Sequence, residues 1–333
     1  MTRVLSTSAS DPRPDVVEDA AALIRAGEVV AIPTETVYGL AANATDPAAV
    51  ARIYEAKGRP SWNPLIVHLA DADALDFVAR DVPELARTLA ARFWPGPLTL
   101  VLRRTAAIPD IVTGGRDTVG VRVPAHPVAR AIIRAAGCPV AAPSANRFME
   151  VSPTLAAHVI AGLDGRVPLI VDAGPTSVGI ESTVLDLTTT PPTLLRPGGV
   201  TRDELLPFTG PLGDPAPVAT RDEVRAAPGM VERHYAPRAR LILFSPSLRD
   251  AVVNEYMEAQ ARGERVAVVA RTFHVPGEAH VRMPADPSGY AGRLYEMLHD
   301  LDTNGITQAW VELPPADAAW EGVRDRLARA ATR

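Results

Sequence analysis

A chain of 333 residues is long for one hydrophobic core, so about two domains are expected. Its 47% hydrophobic and 22% charged content is ordinary for a globular protein, and a net charge of −5 argues against a broadly basic nucleic-acid binder. The single cysteine, Cys138, excludes a disulfide framework and a cysteine-built metal site and suits a reducing cytoplasm; no apolar run approaches the roughly 20 residues that span a bilayer.

Residues 1–13 read as a mobile lead-in without the apolar segment of a signal peptide. Val16, Ala20, Leu23 and Ile24 recur at helical spacing, so a helix is expected over Asp15–Ala26, stopped at Gly27. Val29–Ile32 reads as a buried strand closed by Pro33. The polar segment Thr34–Gly39 follows, at the kind of strand end where open α/β sheets place ligands. Asp46-Pro47 is an N-cap followed by Pro at the first helical position, opening a helix to about Glu55. That helix runs into Lys57-Gly58-Arg59-Pro60 and Asn63-Pro64, and Leu65–His68 is a second strand.

Lys57 is the chain's one lysine; the other 33 of its 34 cations are arginines. A compact ammonium beside Arg59 suits a polyphosphate, where a planar guanidinium fits differently, against the alternative of an exposed lysine surviving by chance. Helices are expected over Asp71–Ala79 and Val82–Phe93, a strand over Leu98–Arg103 and another over Val119–Pro124. Arg122 interrupts that last apolar run. A buried guanidinium is costly unless paired, so it meets either a structural carboxylate or an anionic ligand. His126–Ala136 reads as a helix and Pro139–Ala142 as a short strand ending in Pro143-Ser144-Ala145-Asn146. Ser152-Pro153-Thr154 is expected to cap a helix. Leu169–Asp172 is a strand, followed by a glycine-containing loop that lacks the ending of a P-loop, and Glu181-Ser182-Thr183 opens the strand Val184–Leu187.

From Pro207 to Pro228 the chain is rich in Pro, Gly and Ala and reads as a linker; His234-Tyr235 near its end suggests that part of it docks. Strands at 241–244, 266–270, 280–283 and 309–313 then alternate with helices at 248–261, 290–302 and 317–331, the pattern of a small α/β domain with a mostly parallel sheet. Lys57, Arg59, Arg122 and Arg196 with Ser, Thr and Asn at strand ends make an anion site in the first domain. Neither a Gly-x-Ser-x-Gly elbow nor a His-Glu-x-x-His helix is present, which leaves positioning and charge stabilisation as the means of catalysis.

Eight blocks occur in order: PTETVYGL (33–40), Lys57-x-Arg59 with NPLIVH (63–68), WPGPLT (94–99), Arg122-x-Pro124, PSAN (143–146), ESTV (181–184), LRPG (195–198) and PGM…HYAP (228–237). With them the chain resembles the long, two-domain threonylcarbamoyl-AMP synthases. The resemblance implies an α/β fold: a YrdC-like twisted open-sheet catalytic domain over 1–206, a linker or lid over 207–238 and a small Rossmann-like α/β domain over 239–333. It implies formation of threonylcarbamoyl-AMP and pyrophosphate from L-threonine, bicarbonate or CO2, and ATP, with a downstream threonylcarbamoyltransferase complex passing the product to tRNA. By the same resemblance Thr34, Thr36, His68, Arg122, Ala142 and Ser182 hold threonine. Lys57, Arg59, Asn63, Thr118, Ser144, Asn146, Ser152 and Arg196 hold the nucleotide, Lys57 and Arg59 being the catalytic pair, and Tyr235 reaches over ATP. Magnesium comes with ATP, bound through its phosphates and not through protein side chains. For His68 read alone the alternative is a satisfied core histidine; Tyr38, Trp94, His126 and Cys138 read as packing residues. Two other functions are weighed: a carbamoyltransferase forming carbamoyl-adenylate, and an RNA-binding module.

Overall fold

Short apolar runs, buried on both faces, make most strands of the amino-terminal unit. The computed structural model describes residues 1–215, 235–275 and 279–332. The chain divides into two units, Met1–Phe148 with Ser152–Met230, and Met149–Val151 with Val231–Arg333. The first unit's strands are β1 (Arg3–Ser6), β2 (Val30–Ile32), β3 (Gly39–Asn43), β4 (Ile66–His68), β5 (Ala79–Arg80), β6 (Leu98–Arg104), β7 (Thr118–Arg122), β8 (Val140–Ala141), β9 (Leu169–Asp172), β10 (Thr183–Asp186) and β11 (Thr193–Arg196). They form one mixed sheet in the order β1-β9-β2-β3-β8-β4-β7-β6-β10-β11, with β5 added against β6. Its helices are α1 (Pro14–Arg25), α2 (Pro47–Lys57), α3 (Leu75–Val78), α4 (Glu84–Phe93), α5 (Asp110–Thr113), α6 (Pro127–Ala136), α7 (Ala156–Leu163) and α8 (Arg202–Thr209).

Strand alternation sorts neighbouring residues to opposite faces. Val30, Ile32, Leu169 and Val171 pack with Val16, Ala20 and Ile24 of α1 and Ile132 and Ile133 of α6. Ala31 and Ile170 join the other core, with Ile53 of α2, Leu89 of α4 and Val159 of α7. The Asp46 side chain caps α2 by accepting from the Ala48 N–H, and Gly58 ends the helix at φ 61°, a left-handed conformation that favours glycine. Lys57 is thereby fixed in the last turn of α2.

Several expectations change. Residues 3–6 are not a loose lead-in but pair in parallel with β9, Arg3 opposite Leu169. Gly39–Asn43 is a strand antiparallel to β2, which small residues in an Ala-rich stretch did not reveal. The helix expected over Asp71–Ala79 is a 3-10 turn followed by the four residues of α3, and Ala79 already belongs to β5. Ser152–Thr154 does not cap α7; Leu155 is its N-cap residue, without a side-chain cap bond. Pro207, expected to begin the linker, lies inside α8, which a Thr201–Glu204 capping box opens. Residues 216–234, most of that linker, lie outside the described residues.

The second unit has β12 (Arg240–Phe244), α9 (Arg249–Ala261), β13 (Val266–Ala270), β14 (His280–Arg282), α10 (Pro287–Thr303), β15 (Gln308–Glu312) and α11 (Glu321–Ala331). Its sheet, ordered β12-β15-β13-β14, is parallel throughout, as the alternation of strands and helices predicts.

Register in the first unit carries polar residues into one row. His68 stands opposite Arg122 where β4 pairs with β7. Leu100 of β6 stands opposite Val121, so Thr99 is the next step along from Arg122. Val184 of β10 stands opposite Thr99 on one side and Arg196 on the other. Residues brought from five strands thus meet in one row.

Candidate active site

Arg122 ends β7 and is 3% exposed. Its Nη1 donates to Thr36 Oγ1 at 3.1 Å and its Nη2 to Glu35 Oε2 at 3.3 Å, so both readings of this residue are partly met: a carboxylate is present, and the guanidinium is left with donors to spare. Burial lowers the Arg122 pKa and Glu35 opposes that shift; a guanidinium stays charged throughout. Thr34 braces the loop, its hydroxyl 2.9 Å from that of Thr36 and donating to the Val37 carbonyl at 2.6 Å. His68 is buried, with Nδ1 3.2 Å from the Ile66 carbonyl, so that nitrogen carries the proton and Nε2 is the acceptor. Burial and then the Arg122 charge push its pKa down to about 3, which keeps the ring neutral near pH 7. Ala142 is buried beside it, its N–H on the Ile66 carbonyl at 3.0 Å.

At the other end of the row, Arg196 Nε and Nη2 donate to the Ser182 carbonyl at 3.1 and 2.9 Å, and Nη2 reaches Ser182 Oγ at 3.2 Å. The Ser182 hydroxyl lies 2.8 Å from Thr99 Oγ1. A Cβ at Gly198 would fall 2.4 Å from the Glu181 carbonyl oxygen, so only glycine lets the segment after Arg196 pass this close. Ser152 donates to Glu181 Oε1 at 2.6 Å. Glu181 and Arg196 both act electrostatically on Arg122, which joins the two ends of the row.

Lys57, 3% exposed, donates to the carbonyls of Ser144 and Asn146 at 2.5 Å each and to Asn146 Oδ1 at 3.4 Å. The lone lysine therefore clamps the Ser144–Asn146 loop. Arg59 donates to the Asn63 carbonyl at 3.3 Å and the Pro64 carbonyl at 2.9 Å, with its guanidinium 5.9 Å from the Phe148 ring centre. Thr118 is half-buried and lines a cavity with Pro64, Thr99, Thr113, Arg116 and Gly120.

Asn63 is fully buried, yet neither end of its amide has a hydrogen-bond partner among the described residues. Such a group costs about 1–3 kcal/mol unless something satisfies it. Asn63→Leu is expected to hold or raise the thermal midpoint while weakening ATP binding about tenfold, the worth of one or two hydrogen bonds. Thermal melts with and without ATP check both halves.

Sequence reasoning gave no role to Glu35, Thr99 or Glu181, although all three lie within blocks it singled out. The signal for Glu35 was available: a carboxylate between two threonines at a strand end, in a chain with one unexplained arginine in an apolar strand. Tyr235, assigned to ATP, is in the second unit. It is 1% exposed, its ring 5.5 Å from that of Tyr295, with the Arg326 guanidinium 5.4 Å from its centre. His234 and Pro228–Arg233 lie outside the described residues.

A family model described as telomere recombination, Sua5/YciO/YrdC, matches residues 22–198, and one described as the threonylcarbamoyl-AMP synthase C-terminal domain matches 200–332. The chain belongs to the threonylcarbamoyl-AMP synthase family. The Bacillus subtilis threonylcarbamoyl-AMP synthase is 43% identical, over 97% of this chain and 94% of that one. The Pyrococcus abyssi threonylcarbamoyl-AMP synthase is also 43% identical, over 93% and 92%. A crystal structure of Pyrococcus abyssi Sua5 complexed with L-threonine superposes with a TM-score of 0.93 at 39% identity, covering 99% of this chain and 98% of that one. Both units of this family member, and not only the first, are thus matched in fold. No described helix is long and apolar enough to cross a membrane.

Proposed function

We propose that the chain joins L-threonine, bicarbonate or CO2, and ATP into threonylcarbamoyl-AMP, releasing pyrophosphate. The observation that carries this reading is the row from His68 to Arg196: Arg122, braced by Thr36 and Glu35, stands in register with Thr99, whose hydroxyl meets that of Ser182, and Arg196 donates to the same Ser182 hydroxyl. One guanidinium suits an amino-acid carboxylate and the other a phosphate. Thr34, Thr36, His68, Ala142 and Ser182 surround the threonine half. Lys57, Arg59, Asn63, Thr118, Ser144, Asn146, Ser152 and Arg196 serve the nucleotide.

The α-ammonium of threonine gives up a proton to solvent, and the free amine takes up CO2 with loss of a second proton to give N-carboxythreonine. An oxygen of the new carboxylate attacks the α-phosphorus of ATP, the bond from that phosphorus to the bridging oxygen breaks, and pyrophosphate leaves with the electron pair. No protein nucleophile is needed. Buried cations stabilise charge gathering on the leaving group, in an interior where electrostatic interactions are stronger than in water. Arginine donors fit phosphate oxygens, Lys57 adds its charge from the Ser144–Asn146 loop, and magnesium would be held by the phosphates, supplying further charge neutralisation. The adenylate is reactive, and a downstream tRNA-modifying threonylcarbamoyltransferase complex in the cytoplasm would consume it.

Pyrophosphate release tests the reading. It should require threonine, bicarbonate and ATP together. Release supported by carbamoyl phosphate without threonine would favour the carbamoyltransferase alternative.

A further inference from the structure

The Arg122–Glu35 pair leaves two buried atoms unused. Glu35 is 5% exposed, and while Oε2 accepts from Arg122, Oε1 has no hydrogen-bond partner among the described residues. Arg122 Nε is likewise without one. His126, ahead of α6, also has a buried Nδ1 without a hydrogen-bond partner among the described residues. The Glu35 backbone is fixed, since its carbonyl accepts from the Val178 N–H at 2.7 Å and Thr34 and Thr36 bond to each other on either side. Burying a carboxylate with one oxygen idle is costly, and a fixed backbone prevents its relief by moving outward.

A pair with one idle acceptor and one idle donor is complementary to a zwitterion. Threonine carries a carboxylate and an ammonium on the same carbon, so a site for it needs a cation and an anion a few ångströms apart. Resting on the reading of threonine as substrate, we infer that Glu35 is a specificity-determining residue that accepts the α-ammonium of threonine through Oε1 while Arg122 takes the carboxylate. Glu35 then has two jobs: it neutralises Arg122 in the empty site, and it holds the amine that is to be carboxylated. It also selects α-amino acids over hydroxy acids and other carboxylates, which Arg122 alone would not distinguish.

Calorimetric binding of L-threonine and of 3-hydroxybutyrate, which keeps the carboxylate and hydroxyl but lacks the amine, separates this from a purely structural Glu35. In the wild-type protein 3-hydroxybutyrate should bind at least about tenfold more weakly than threonine, the worth of a charge-assisted hydrogen bond. In Glu35→Gln, threonine affinity should fall about tenfold or more while 3-hydroxybutyrate affinity stays near wild type, so that the preference disappears. A parallel loss for both ligands would mean that Glu35 only braces Arg122 and would overturn the inference. Equal wild-type affinities would overturn it too, and this arm needs no variant to fold. Failure of the wild-type protein to bind threonine at all would overturn the substrate reading itself, and the inference with it.

Discussion

Replacing Arg122 with alanine is expected to cost the first unit about 3–5 kcal/mol and to weaken threonine binding at least tenfold to a hundredfold, with a much smaller effect on ATP. The stability loss follows from what remains. Glu35, 5% exposed, would lose the guanidinium 3.3 Å from its Oε2, leaving a buried charge without its partner. A fall in melting temperature on the order of 10 °C corresponds to this for a unit of this size. The two effects can be separated. Arg122→Met combined with Glu35→Gln removes both charges and should recover most of the lost stability, because a buried ion pair is often no better than a well-packed neutral pair. Threonine binding should not recover. Thermal melts and threonine titration of the single and double variants test this; recovery of threonine binding in the double variant would assign Arg122 to the fold alone.

Lys57→Ala is expected to lower adenylate formation by more than about a hundredfold and to cost about 2–4 kcal/mol of stability, the penalty for orphaned buried carbonyls. The structure changes the basis of this expectation. Lys57 was singled out as a phosphate ligand, and its ammonium is found on the carbonyls of Ser144 and Asn146. Its removal therefore unfastens the loop that carries Ser144 and Asn146, two of the residues proposed for the nucleotide, besides removing a charge. Lys57→Arg should not rescue, since a larger planar group must fit where the ammonium is 3% exposed. Pyrophosphate release measured beside a thermal melt distinguishes this from a surface lysine, for which both readings would stay near wild type.

The elements that sequence showed best were those whose hydrophobic period was complete. The strand over Val266–Ala270 stands as read, and the capping signal at Asp46-Pro47 and the helix end read at Ala136 are real helix ends. β3 was missed because Gly39–Asn43 is mostly small residues, buried by the sheet around them and not by their own hydrophobicity. β1 was missed because its stability comes from pairing with Leu169–Asp172, more than 160 residues away. The site shows the same division. Arg122 and Lys57 stood out by composition, one in an apolar strand and one as the chain's single lysine. What each touches depends on register and loop closure: Glu35 reaches Arg122 only because β7 ends where the loop after β2 passes, and Ser182 meets Thr99 only because β10 lies beside β6.

The central claim is the adenylate reaction, and isotope tracing tests it most directly. The protein, incubated with ATP, magnesium, L-threonine and carbon-13 bicarbonate, is followed by mass spectrometry. A single AMP-linked product that contains threonine and carries the label on its carbamoyl carbon, with equal pyrophosphate, is the predicted result. An AMP adduct without the label, or ATP turnover unchanged when threonine is left out, would contradict it.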